Sequence, residues 1–334
     1  MSHSSTSSSE ALPAKVVGAA RFLKAVALAA ALVVCAELLC RLALGPLGHY
    51  WQYWDLAAAA KFEHFRERAR QGRAPALLVV GDSTGASDID PASVASQFEP
   101  GVDAYNLAWP ADFPLAFRAC TLPLLREASR GIRVVVASFS PRGFVESPEA
   151  DRFESAILNS LICREVQGRR EAAHYVYLAR VRYALPFRRS WFTGGGLPGP
   201  PDRAGFMPLD GGNQEPPPAR SASATEARVG IVSLSEERLR AIFDLAELGR
   251  QKGFRLVVVM PPISSDDPLV AEIERQYMSR LSSSRNPAVD VIDFRRPDFL
   301  APTDYKDGIH LFADGARRYS EHLGQALRER LSSR

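Results

Sequence analysis

The chain has 334 residues, 46% of them hydrophobic and 24% charged, values that suit a globular protein with a sizeable core and exclude a largely disordered chain. The net charge is only +3, and its lysines and arginines lie among acids instead of forming an aromatic-interleaved basic patch, so no nucleic-acid partner is expected. Four cysteines show no metal-ligand spacing, and no metal or cofactor is expected; Cys120 and Cys163 read as thiols in preference to a disulfide.

In chain order, residues 1–14 are Ser-rich and read as a disordered cytoplasmic tail. Residues 15–45 read as a signal anchor. Lys15, Arg21 and Lys24 precede a nearly continuous apolar run from Ala25 to Leu44, long enough to cross a bilayer as a helix. No small-residue cleavage site of the A-x-A type follows it. The basic flank is N-terminal, so the positive-inside rule places the remainder outside the cytoplasm, on a single-pass chain in the cell membrane. Glu37 and Arg41 fall inside the run, four apart and therefore on one helix face, near the end where snorkelling lowers their cost.

Residues 46–72 read as a helical stalk, with Trp51, Tyr53 and Trp54 at the membrane interface. From residue 73 onward the pattern alternates. Short apolar runs at Ala76–Val80, Val102–Leu107, Ile132–Phe139, Phe254–Met260 and Val289–Asp293 predict strands. Helices are predicted from Asp90-Pro91 to about Phe98, over Phe113–Ser129, from Ser235 to about Lys252, over Pro268–Ser282 and over Ala313–Arg330. Such alternation predicts a parallel sheet with helices on both faces. Between about 146 and 230 the pattern breaks down into a Gly- and Pro-rich stretch, read as an insertion beside the sheet's active edge.

Two short segments could carry chemistry. Ser83 directly follows the first strand in Val79-Val80-Gly81-Asp82-Ser83, at the carboxyl edge where ligands gather in open parallel sheets. A serine hydroxyl is a weak nucleophile and needs a base within hydrogen-bond reach. Asp307 and His310, in a loop entering the last helix, supply a base and the group that orients it. Asp82 adjoins the nucleophile and ranks behind Asp307 as the acid; Asp88 and Asp90 fit loop and cap duties. The other histidines read as surface or interfacial groups.

The set resembles the SGNH/GDSL hydrolase superfamily over roughly residues 76–330, with Gly81-Asp82-Ser83 matching its first block and Asp307-Gly308-Ile309-His310 its last. It is similar more narrowly to membrane-tethered members serving cell-envelope polymers, in the alginate O-acetylation and teichoic-acid D-alanylation branches. The further points of similarity are the N-terminal span, the run from Ser83 to Asp90-Pro91, Tyr105-Asn106-Leu107-Ala108, Phe139-Ser140-Pro141-Arg142 and Pro261-Pro262. The resemblance implies a flavodoxin-like three-layer α/β/α fold and metal-free acyl transfer or ester hydrolysis on a glycan or other acyl ester. It also implies a membrane-bound O-acyltransferase as partner.

The departures bear on the oxyanion hole. The superfamily's second-block glycine and third-block Gly-x-Asn are replaced here by Asn106-Leu107-Ala108-Trp109-Pro110 and Ser138-Phe139-Ser140. Ser83, Asn106 and Ser140 are the candidate oxyanion donors, Asn106 having a strand-end structural role as its alternative. Trp109 and Arg142 are candidate substrate-binding residues, Trp109 having a place in the core as its alternative. Three functions stay open: an acyltransferase or acylesterase, a binding or assembly component with a vestigial triad, and a broad lipase-like hydrolase.

Overall fold

A computed structural model describes residues 14–44, 53–110, 112–147, 202–209, 233–265, 267–283 and 289–333, with scattered positions between 151 and 168. The tail, and most of the segment read as an insertion, lie outside the described residues. The chain divides into two units, one of Met1–Trp51 with Glu171–Pro186 and one of Gln52–Arg170 with Phe187–Arg334.

In the first unit, α1 runs from Ala14 to Leu44. It is long and apolar enough to cross a membrane, and none of its most apolar stretch, Phe22–Leu39, is buried against the protein. The large side chains Phe22, Leu23, Leu28, Leu32 and Leu39 are all exposed. A helix apolar on every side and buried on none suits a lipid environment. The side chain of Arg41 lies outside the described residues, which leaves the Glu37/Arg41 pairing there too.

The second unit is α/β. Its sheet has five parallel strands, β1 (Leu77–Gly81), β2 (Ala104–Asn106), β3 (Val134–Ser138), β4 (Arg255–Met260) and β5 (Val289–Asp293), in the order β2-β1-β3-β4-β5. These are the five apolar runs of the sequence. Strands buried on both faces need no polar alternation, and β1 and β3 are buried throughout. Alternate residues nonetheless serve two cores. Leu78, Val80, Val135, Ala137, Leu256 and Val258 face one. Leu77, Val79, Val134, Val136, Val257 and Val259 face the other.

The first core is closed by α2 (Tyr53–Arg70), α5 (Pro114–Ala116) with a π turn at Phe117–Thr121, α6 (Leu122–Ala128), α7 (Glu236–Lys252) and α8 (Pro268–Ser283). The second is closed by α3 (Ser83–Asp88), α4 (Pro91–Ala95) and α9 (Ala313–Ser332).

Two expectations are corrected here. The segment read as a stalk does not stand off from the domain: Ala58, Lys61, Phe62 and Phe65 of α2 are buried. Their spacing of three and four places them on one helical stripe, which the first core takes up. Cys120 and Cys163 are not thiols but a disulfide, with Cα atoms 5.0 Å apart and both residues in the first core.

Candidate functional site

The strand order reverses between β1 and β3, the place where open α/β sheets bind ligands at their carboxyl edge. There β1 ends at Gly81 with φ +139°, and a Cβ on that residue would lie 1.7 Å from the Ser138 carbonyl oxygen of the neighbouring strand. Only glycine tolerates both the close approach and the dihedral. Asp82 then caps α3. One carboxylate oxygen accepts from Thr84 N–H (3.0 Å) and Thr84 Oγ (2.8 Å), and the other accepts from Ser140 N–H (2.8 Å). Asp82 thus ties the end of β1 to the end of β3, which explains why it does not serve the histidine. Ser83 follows as the first residue of α3, half-buried.

The other half of the site is a closed loop before α9. Tyr305 and Leu311 form an antiparallel bridge, Lys306 N–H donates to the His310 carbonyl (2.8 Å), and Gly308 takes a left-handed φ of +79°. Within the loop one oxygen of Asp307 accepts from the N–H groups of Ile309 (3.3 Å) and His310 (3.0 Å). Ser264, after Pro261-Pro262 at the end of β4, donates its N–H to the Gly308 carbonyl (2.9 Å) and braces the loop from the sheet.

The two halves meet. Ser83 Oγ lies 2.8 Å from His310 Nε2, and both oxygens of Asp307 lie 2.9 Å from His310 Nδ1. With the carboxylate at Nδ1, the imidazole carries its proton there and leaves Nε2 as the acceptor for the serine hydroxyl. Burial opposes a charge on His310, but its hydrogen bond to Asp307 and the charges of Asp88, Asp307 and Asp82 outweigh that and raise its pKa. Burial likewise opposes ionisation of Asp307, yet the bonds to His310 and the backbone N–H groups hold its carboxyl below the usual value. Both shifts favour an imidazolium–carboxylate pair, the state that transfer of the Ser83 proton to His310 would require.

The remaining candidates separate. Asn106 does not donate to a substrate: its side-chain amide nitrogen donates to the carbonyls of Gly85 (2.8 Å) and Ile89 (2.7 Å), and its Oδ1 accepts from Ala108 N–H (3.0 Å). Its own N–H goes to the Ala204 carbonyl, while those of Leu107 and Trp109 go to Val79 and Gly81. All four backbone donors of residues 106–109 are therefore engaged. Nor does Trp109 line a substrate pocket. It is fully buried in the first core, edge-on to Phe62, with Nε1 donating to Thr121 Oγ1 (3.2 Å).

Ser140 gives its N–H to Asp82, but its hydroxyl is buried without a protein partner. Arg142 is exposed in a 3-10 turn, Pro141–Phe144, directly after Ser140. Ser83 N–H, at the first position of α3, is engaged by no acceptor among the described residues.

Three features of the site were missed in the sequence. One is α3 itself, too short and too rich in small residues for a periodic signal. Another is Lys61, fully buried on α2 with Nζ donating to the Ala108 carbonyl. The third is the long-range contact of Asp88, expected only in loop and cap duties: its carboxylate accepts from Leu311 N–H (3.0 Å) and from Ser87 Oγ (3.0 Å). No family profile matches the chain, and no curated protein matches it in sequence.

Proposed function

We propose that the chain is a membrane-anchored, extracytoplasmic serine acyltransferase or acylesterase that works on O-acyl groups of a cell-envelope glycan. The observation that carries the reading is the contact of Ser83 Oγ with His310 Nε2 at 2.8 Å, with Asp307 on the opposite ring nitrogen. In the proposed reaction Ser83 Oγ attacks the acyl carbonyl while its proton passes to His310 Nε2. Collapse of the tetrahedral adduct breaks the ester C–O bond, and His310 protonates the departing alkoxide. The acyl group on Ser83 is then taken by a sugar hydroxyl or by water: His310 accepts the acceptor's proton as it attacks, the bond from Ser83 Oγ to the acyl carbon breaks, and His310 returns that proton to Ser83 Oγ.

Several features support the wider reading. The sheet order, with a core on each face, fits a flavodoxin-like three-layer arrangement. Gly81-Asp82-Ser83 and Asp307-Gly308-Ile309-His310 stand at the strand end and before the helix where the SGNH/GDSL resemblance expects them. The basic residues in the N-terminal part of α1, Lys15, Arg21 and Lys24, and the Cys120–Cys163 disulfide both favour an oxidising compartment outside the cytoplasm. Tethering in the bilayer suits an acyl donor delivered by a membrane-bound O-acyltransferase.

A second reading, a binding or assembly component with the same fold, is favoured by the engaged donors of residues 106–109. A preorganised oxyanion donor is worth about 2.7–4 kcal/mol of barrier, and this site keeps Ser83 N–H with Ser140 Oγ as a candidate second donor. The two readings diverge on acetate release by the parent, which only the first expects. Ser83→Ala is expected to abolish acetate release from a small acetyl ester with the folded state unchanged by circular dichroism; undiminished release would exclude the proposed nucleophile.

A further inference from the structure

Helix α3 begins on the nucleophile and ends on a buried carboxyl, and the same loop touches both ends. At one end His310 Nε2 meets Ser83 Oγ (2.8 Å); at the other Leu311 N–H, one residue along the chain, donates to Asp88 Oδ1 (3.0 Å). Asp88 is fully buried, and its second oxygen has no protein partner. The Ser87 hydroxyl lies between the two ends, 2.8 Å from the Ser83 carbonyl and 3.0 Å from Asp88 Oδ1.

Leaving a buried carboxylate oxygen unpaired is costly, and a neutral isostere would carry less of that cost. The charge therefore calls for a counterpart, and the groups around Asp88 offer one. From the loop, His310, Asp307 and Tyr305 interact with it electrostatically. From α9, Tyr319 does so with a hydroxyl that has no partner, and Ser320 Oγ donates to the Asp88 carbonyl (3.4 Å). Among these groups His310 alone can become a cation. Burial pushes the Asp88 carboxyl up to about 7, so its charge is gained near neutral pH, while the Asp88 charge in turn helps to raise the pKa of His310.

We propose that Asp88 is a positioning residue of the triad: it holds the Leu311 N–H so that His310 is set on Ser83, and its carboxylate stabilises the imidazolium that forms when His310 takes the serine proton. The triad then works with two carboxylates, Asp307 bonded to the ring and Asp88 beneath its loop.

The inference rests on the esterase reading of the same site, so the experiment has one arm that needs no turnover. In the intact chain with labelled histidine, the His310 ring is expected to titrate in two steps by NMR, reporting its own proton and that of Asp88. Asp88→Asn keeps an acceptor for Leu311 N–H and removes the charge. It is expected to turn the titration into one step at lower pH and to move the acid limb of kcat downward in pH. It is also expected to lower kcat about tenfold with KM little changed, the effect of about one pKa unit of lost interaction. Asp88→Leu, which loses the acceptor as well, is expected to cost about a hundredfold through misplacement of the ring. A single-step titration in the unmodified chain, or an Asp88→Asn variant whose titration and pH profile match the parent, would overturn the proposal. Loss of all ester turnover in the parent, with the two-step titration intact, would instead count against the esterase reading alone.

Discussion

Asn106 shows how a polar residue at the edge of a candidate active site can be held by the fold itself. Its three side-chain hydrogen bonds pin α3, through the carbonyls of Gly85 and Ile89, to the end of β2, through Ala108 N–H. Asn106→Ala orphans two buried carbonyls and one N–H, and each unmet group costs about 1–3 kcal/mol. The expected result is destabilisation of roughly 3 kcal/mol or more by urea unfolding, with any loss of activity following the folded fraction. Unchanged stability with kcat reduced would instead identify the amide as a donor to the substrate. Ser83, Asp307 and His310 were legible because each sits in a short segment abutting a clear strand or helix. Asn106 and Trp109 were not, since nothing local distinguishes an amide or indole aimed at a ligand from one engaged by its own fold. Asp88 was hidden for a related reason: its partner Leu311 lies 223 positions away.

At the scale of elements, the strands were readable because apolar, largely β-branched runs bounded by turn residues have few other uses in a chain of this composition. Helix α2 was found but misplaced. Its charged residues suggest a solvated stalk, whereas the stripe of Ala58, Phe62 and Phe65 docks it on the first core. Docking buries Lys61 with the helix. Burial lowers its pKa to about 7, against the smaller opposing effects of Asp202 and Asp112. An unfolded lysine keeps its proton to about 10.5, so between these values unfolding takes up a proton and stability from this group rises with pH. Lys61→Met removes that contribution. From pH 7.5 to 9.5 the parent is expected to gain roughly 2 kcal/mol relative to the variant in urea titrations. Parallel curves would mean that Lys61 is not held neutral in the fold.

For the molecule as a whole, the apolar helix and the α/β domain were both apparent from composition and periodicity, because a span and a parallel sheet leave strong, distinct patterns. The disulfide was not, since the cysteines are separated by 43 residues and meet only within the first core. The proposed architecture joins a bilayer-anchored helix to a domain whose nucleophile and base come from opposite ends of its own sequence, residues 83 and 310. Such a site assembles only when the sheet is complete, so chemical reactivity of Ser83 reports on the fold and on the mechanism together. The most direct measurement is labelling of the intact membrane-embedded chain with a fluorophosphonate, which forms an Oγ–P bond to an activated serine as fluoride leaves. The account predicts stoichiometric labelling at Ser83, lost in Ser83→Ala and reduced to background in His310→Ala. Labelling of the His310→Ala variant at the parent's rate, or none of the folded parent, would contradict it.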